Sequence, residues 1–348
     1  MTTIKHISFP SIDQYRNVVK AVRDRCTYHS VPLPVLRFEG TVKLHGTNSS
    51  IAYNTETGEL WAQSRNNVIT PEADNMGFAR WVFSNESAWR KGFEKLTSSM
   101  KGTAVIYGEW CGQGIMKGVA IAQLPKMFVI FDMKLVIDEV ESWFPVYDVL
   151  TPFIDAGLPI SNVHCIYDFQ TWTIDIDFTK PEASQNMLAN WTQEVEAQCP
   201  VGKAFQVDGI GEGIVWRCHP AYSRLMSLPY QTDDLIFKVK GEKHSDTKVK
   251  TLAEVDPVKL ENVQKFVEAT VTDHRLEKAI AFLQETTEFP FDLKNLGSFL
   301  KWVGSDILKE ESDILEASGL SRQDVMPKVS AAAKQWFLDH PVSYEEGQ

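Results

Sequence analysis

A change of hydrophobic period near residue 250 constrains this chain more than any other feature. Before it, short runs rich in β-branched and aromatic residues alternate with turn residues, which predicts strands. They are Val35–Phe38 leading to Thr41–Lys43, Ser50–Tyr53, Leu60–Arg65, Ala104–Trp110, Met127–Met133, Gly213–Arg217 and Leu235–Val239. The turn at Asn54–Gly58 predicts a hairpin between the second and third runs. Two helices interrupt the strands: Ser11–Val22, with Ile12, Tyr15, Val18, Val19 and Val22 on one face, and about 76–95, from the spacing of Phe78, Trp81, Val82 and Trp89. After residue 250 the pattern becomes helical. Asp256-Pro257 places a capping side chain before a first-turn proline. Leu276, Ala279, Ile280 and Leu283 follow i, i+3, i+4, i+7 spacing, and Ser321–Asp324 reads as a capped helix entry. The expected organisation is therefore a mixed domain over 1–250 and a helical domain over 251–348, with the stretch 137–200 irregular in pattern.

Charge sharpens this division. The net charge of −11 opposes a polyanionic ligand taken as a whole. Residues 137–200, however, hold eleven acidic residues against one lysine, and residues 251–348 carry a net −8, so the remainder sums to +7. A basic body with two acidic appendages is compatible with nucleic acid. No apolar run approaches the ~20 residues of a membrane span, no secretory leader precedes the first helix, and the five scattered cysteines form neither a disulfide framework nor a zinc motif. A soluble, cytoplasmic protein is expected.

Six short motifs stand at strand ends in a fixed order: Lys43-Leu44-His45-Gly46-Thr47-Asn48, Ser64-Arg65-Asn66, Gly108-Glu109, Phe131-Asp132, Glu212-Gly213-Ile214-Val215 and Lys238-Val239-Lys240. Singly, each has an ordinary explanation. Lys43 could be a surface lysine beside a turn glycine, Phe131 a core residue, Glu109 and Glu212 turn carboxylates, Lys238 and Lys240 the wet face of a strand, and Arg65 and His45 surface groups. Together they resemble the motif set of the covalent nucleotidyltransferases, and within these the phage-type RNA ligase 2 family. Gly114-Ile115 with Lys117, and Thr272–Glu277 in the helical region, add to the likeness, which covers roughly 1–135 and 200–280.

The resemblance implies an α+β nucleotidyltransferase (ATP-grasp-like ligase) domain with antiparallel sheets, then an all-α C-terminal domain. It implies an ATP-dependent RNA ligase of the RNA-repair type that uses Mg²⁺ (or Mn²⁺), forms a lysyl-AMP intermediate and joins 3′-OH to 5′-phosphate ends. Lys43 would be the nucleophile. Arg65 would contact phosphate, Glu109 the ribose and Phe131 the adenine face, with Asp132 beside it. Glu212 would bind the metal, Lys238 and Lys240 the phosphates, and His45 would assist transfer to RNA. With a reference pKa near ~10.4, on the order of one lysine in a thousand is neutral at pH 7, and bringing that value near 7 corresponds to ~4 kcal/mol. Neighbouring cations supply such an effect and also offset phosphate charge. The expected partners are RNA ends, in nicked duplex RNA or an RNA-containing hybrid, with no membrane and a monomeric chain. Arg275 and Lys278, one turn apart, are the candidate RNA contacts of the acidic helical module.

One position departs from the family. Val42 stands where the family carries a glutamate directly before the lysine, so adenine must be read by backbone groups or another side chain, and Glu39 is not thereby its substitute. The alternatives are a DNA ligase or capping guanylyltransferase, which append a β-rich OB-fold, and a catalytically silent RNA-end-binding protein.

Overall fold

Two antiparallel sheets share the larger of the chain's two units, and each turns one face to an apolar core. The computed structural model describes residues 4–98, 100–144, 146, 149–158, 160–219, 235–244, 263–287, 290–317 and 320–340. The units comprise residues 1–12 with 21–241, and residues 13–20 with 242–348. The first unit's strands are β2 (Val35–Lys43), β3 (Thr47–Asn54), β4 (Leu60–Ser64), β5 (Val68–Ile69), β6 (Thr103–Cys111), β7 (Met127–Ile137), β8 (Val140–Phe144), β9 (Val163–Cys165), β10 (Thr171–Asp177), β11 (Gly213–Cys218) and β12 (Ile236–Lys240); β1 (Asp13–Gln14) precedes helix α1 (Tyr15–Tyr28). One sheet runs β12-β11-β2-β10 and the other β5-β4-β3-β6-β7-β8, with β9 parallel to β7.

Strand alternation explains the layering. In the first sheet Phe38, Val42, Ile214, Trp216, Phe237 and Ile176 are buried on one face. There Trp191 of α5 (Glu182–Ala197) stacks on Trp216 at 5.6 Å. In the second sheet Ile51, Ala62, Ile106, Phe128 and Ile130 form the core with Phe78 and Trp89 of the helices over it. Those helices are α2 (Phe78–Ser84) and α3 (Glu86–Leu96), not the single helix expected over 76–95. Asn85 breaks it: its side-chain amide donates to the Trp81 carbonyl at 2.9 Å, competing with the helical ladder. The first helix also starts and ends later than the apolar pattern alone suggests, at Tyr15–Tyr28. The acidic stretch 137–200, where described, holds β8, β9, β10, α5 and the short α4 (Thr151–Asp155).

The second unit is helical beyond Gly241 where it is described. After α6 (Pro200–Ala204) of the first unit come α7 (Val263–Thr270), α8 (Asp273–Thr286), α9 (Leu296–Glu310), α10 (Ser312–Ala317) and α11 (Arg322–Asp339). Leu276, Ala279, Ile280 and Leu283 are buried with Phe299, Val303, Val325 and Val329. Ser321 caps α11, its Oγ accepting from the Asp324 N–H while Asp324 accepts from the Ser321 N–H at 2.7 Å. The Asp256-Pro257 start lies outside the described residues. One expectation is overturned here: Arg275 is no RNA contact. Its guanidinium is fully buried, donating to Asp306 at 2.8 Å, Glu311 at 2.8 Å and the Thr270 carbonyl at 2.6 Å. Glu311 also holds Arg16, 2.6 Å away, from the start of α1. The basic residue faces inward because its acidic partners lie far ahead in the chain, Asp306 within α9 and Glu311 at the C-terminal end of that helix.

Candidate active site

The two sheets meet where the chain passes from β2 to β3 through Leu44, His45 and Gly46. Lys43 ends β2, and because Val42 points into the core, alternation turns Lys43 to the opposite face. On that face Lys43 and Lys240 flank Gly213, which pairs with both. Gly213 has φ +153°, and a Cβ there would strike the Val239 carbonyl, so only glycine lets the three strands close up around this point. Glu212, immediately before it, carries the carboxylate that gathers the cations. Its oxygens lie 2.7 Å from Lys43 Nζ, 3.4 Å from His45 Nδ1 and 3.7 Å from Lys240 Nζ. Its side chain is 2% exposed. Burial alone would push this carboxyl up, but Lys43, the His45 hydrogen bond and Lys240 hold it well below the usual carboxylate range.

Glu109 of β6 completes the cluster from the second sheet. Its Oε1 accepts from the Gly46 N–H at 2.9 Å, which pins the loop carrying the lysine. A Cβ at Gly46 would collide with the Trp110 carbonyl and come within 2.8 Å of the Cys111 Cβ, so the loop lies against β6 only because this residue is glycine. Burial raises the Glu109 carboxyl to about 7; Lys43 opposes that rise, Glu212 adds to it, and the Gly46 N–H and Arg65 also pull downward. Arg65, just after β4, is half-buried and donates to the Pro10 carbonyl and to Ser11 Oγ.

Phe131 and Asp132 reach the same face of the second sheet through a bulge. Tyr107 pairs with Asp132 and Gly108 with Ile130, which leaves Phe131 as the extra residue. Without it, strict alternation would send one of the pair into the opposite core. Phe131 is half-buried and rests edge-on against Phe9, ring centroids 5.1 Å apart, in an aromatic group with Tyr107 and Trp143. The Asp132 carboxylate accepts from the Met133 N–H and pairs with the Arg217 guanidinium of β11. Lys238 lies two residues from Lys240 on the same side of β12, level with Val215 and Thr41.

Lys43, His45, Glu109, Glu212 and Lys240 thus converge, with Arg65 within electrostatic reach of Glu109. Phe131 and Asp132 lie further along the cleft and Lys238 one step away. Arg217 is the participant the motifs do not name. Period 2 from Gly213 through Val215 places it on the cleft face, a signal available in the sequence. Among the described residues no three His, Cys, Asp or Glu side chains form a metal cage. A single carboxylate such as Glu212 suits Mg²⁺, which is usually held by one or two carboxylates together with substrate phosphates and water.

The RNA ligase family model matches residues 36–240. No curated protein matches the chain. Among solved structures, a Naegleria gruberi RNA ligase mutant with ATP and Mn is similar at 15% identity and a TM-score of 0.44, covering 68% of this chain and 57% of that one. The same ligase with PPi is similar at 16% identity and a TM-score of 0.42, covering 68% and 56%. This chain therefore spans less than two thirds of the length of those ligases. The family match runs from the start of β2 to the end of β12, through every residue of the cluster, and the chain belongs to the RNA ligase family.

Proposed function

We propose that the protein is an ATP- and Mg²⁺-dependent RNA ligase that works through a covalent Lys43–AMP. One observation carries the reading: the convergence of Lys43, Glu212, His45 and Lys240 beside a loop pinned by Glu109. In the first step Lys43 Nζ, having given up a proton, forms a bond to the α-phosphorus of ATP. The bond from that phosphorus to the bridging oxygen breaks, and pyrophosphate leaves with the electron pair. An RNA 5′-phosphate oxygen then displaces the lysine to give 5′-adenylylated RNA. A 3′-OH attacks that RNA phosphate, forming the phosphodiester and releasing AMP.

The residues divide the work. Lys240 and Lys238 offset charge on the phosphates, with Arg65 at the other side of the cleft. Glu212, partnered by three basic groups, keeps Lys43 at the point of attack until substrate enters. A divalent cation bound at Glu212 would supply further positive charge toward the phosphates. Glu109 fixes the loop through Gly46 and is assigned the ribose. Phe131 offers a ring edge-braced by Phe9 for the base, and His45, beside Glu212, is assigned to transfer to the RNA phosphate. The substrate is RNA ends in a nicked duplex or hybrid, acted on by a monomer in the cytoplasm. Among the described residues the segment after β12 is helical, whereas DNA ligases and capping enzymes append an OB-fold there, which favours this reading.

Incubation with α-labelled ATP and Mg²⁺, followed by denaturing electrophoresis, tests it. Wild type yields one labelled band, and Lys43→Ala and Lys43→Arg yield none, since a guanidinium stays protonated and cannot attack. A Lys43→Ala protein that still labels would place the nucleophile elsewhere.

A further inference from the structure

The residues before α1 lie along the second sheet as a strap, and one buried amide holds them there. Trp61, Gln63 and Arg65 follow period 2 along β4 and just past its end, so they line one face. Ile7 and Phe9 pack on that face with Trp61, Ala52 and Tyr107. Gln63, 0% exposed, meets the backbone of Ile7 as a neighbouring strand would. Its Oε1 accepts from the Ile7 N–H at 2.8 Å, and its Nε2 donates to the Ile7 carbonyl at 3.1 Å. The Trp61 indole N–H also donates to Oε1, at 3.1 Å, and Nε2 also donates to Ser50 Oγ, at 2.7 Å. Both donors and both acceptor sites of the amide are thereby used. The Tyr107 hydroxyl donates to the same Ile7 carbonyl at 3.1 Å.

Further along, the strap gives Arg65 two acceptors, the Pro10 carbonyl at 3.4 Å and Ser11 Oγ at 3.2 Å. The register that pairs Ser64 with Ser49, carried one residue on, sets Arg65 level with Asn48, which pairs with Glu109. Glu109 in turn holds the Gly46 N–H in the loop after Lys43. The strap therefore fixes a cation at the edge of the lysine's loop. A long guanidinium side chain loses much rotamer freedom on being held, and acceptors already in place order it before a nucleotide arrives. We infer that Gln63 is a positioning residue of the candidate site: by locking the strap to the second sheet it presets Arg65 for the nucleotide phosphate. The inference rests on the adenylylation proposed above.

The test measures the rate of AMP labelling against ATP concentration for wild type, Gln63→Leu, Ser11→Ala, Arg65→Ala and the double variant Gln63→Leu with Arg65→Ala. Each variant is first shown to melt cooperatively, and Gln63→Met replaces Gln63→Leu if the latter does not fold. Gln63→Leu should raise the half-saturating ATP concentration about tenfold, as for one hydrogen bond to a charged group, and largely keep the maximal rate. Ser11→Ala, which takes one acceptor from Arg65 and leaves the buried amide alone, should give a smaller rise in the same direction. In the Arg65→Ala background the Gln63 change should add nothing to the ATP dependence, because the residue it acts through is gone. A merely structural role would add its full effect there. Where a variant labels too slowly, equilibrium dialysis of ATP supplies the same comparison. An unchanged ATP dependence in the folded Gln63 variant, or an undiminished effect in the Arg65→Ala background, overturns the inference and leaves the ligase reading intact. Absence of any covalent label in wild type sinks the ligase reading itself and this inference with it.

Discussion

Replacing Arg275 with alanine should cost the second unit about 3 kcal/mol and leave RNA contacts untouched. The side chain is fully buried and makes three bonds, to Asp306, Glu311 and the Thr270 carbonyl. Removing one partner of a buried pair typically costs ~3–5 kcal/mol, because the other charge stays buried without compensation. The lower end applies here. Glu311, itself fully buried, keeps Arg16 at 2.6 Å, and Asp306 is 23% exposed and can rehydrate. For a unit of this size, ~3 kcal/mol corresponds to a melting shift on the order of 10–20 °C. The assay is a thermal melt by circular dichroism with hydrogen exchange on α8, using Lys278→Ala, one turn away and half-buried, as the control. Lys278→Ala should shift the melt by little, as surface changes do. Arg275→Met combined with Glu311→Leu should be less destabilising than the two single changes added, since it removes both charges together. An Arg275→Ala protein that melts with wild type but binds RNA more weakly would refute this reasoning and return Arg275 to the RNA surface.

Three further outcomes follow from the same geometry. Glu212→Ala should nearly abolish AMP labelling while the fold persists, because it removes the carboxylate that gathers Lys43, His45 and Lys240; near wild-type labelling at saturating Mg²⁺ would show that role misassigned. Glu109, raised from 4.5 to about 7 in the folded protein, binds more protons folded than unfolded between those values. Its contribution is therefore fully present below pH 4.5 and lost as pH rises through 7, so urea denaturation should show wild type losing stability relative to Glu109→Gln between pH 5 and 8. A fragment ending at residue 250 keeps residues 13–20 but loses Glu311 and Asp313, both ion partners of Arg16. Arg16→Met should accordingly raise the fragment's melting temperature and lower that of the full chain, and a change of the same sign in both would remove Arg16 from the second unit's core.

The residues of the candidate site were legible because each motif carries its own local constraint. Gly46 and Gly213 are required by backbone approaches within their own turns and pairings, and both stand beside the residue they position. Period 2 then puts Lys43, Thr41 and Glu39 on one face of β2, and Val215 and Arg217 on one face of β11, without knowledge of any other strand. The bulge at Phe131 is different. Whether Phe131 and Asp132 share a face depends on which residue of β6 sits opposite, and Met127–Ile137 taken alone, an apolar run interrupted by Asp132 and Lys134, carries no mark of the bulge. Arg275 fails for the same reason in stronger form. At helical spacing from Lys278 it reads as half of a basic surface pair, yet its partners lie 31 and 36 residues ahead, and Glu311 is shared with an arginine 295 residues before it. A charge declares only that it must be paired or wet, and which of the two is decided by chain that is distant in sequence. Local backbone demands thus mark the candidate site, while the partner of each charge, and so the choice between a ligand contact and a buried brace, waits on the fold.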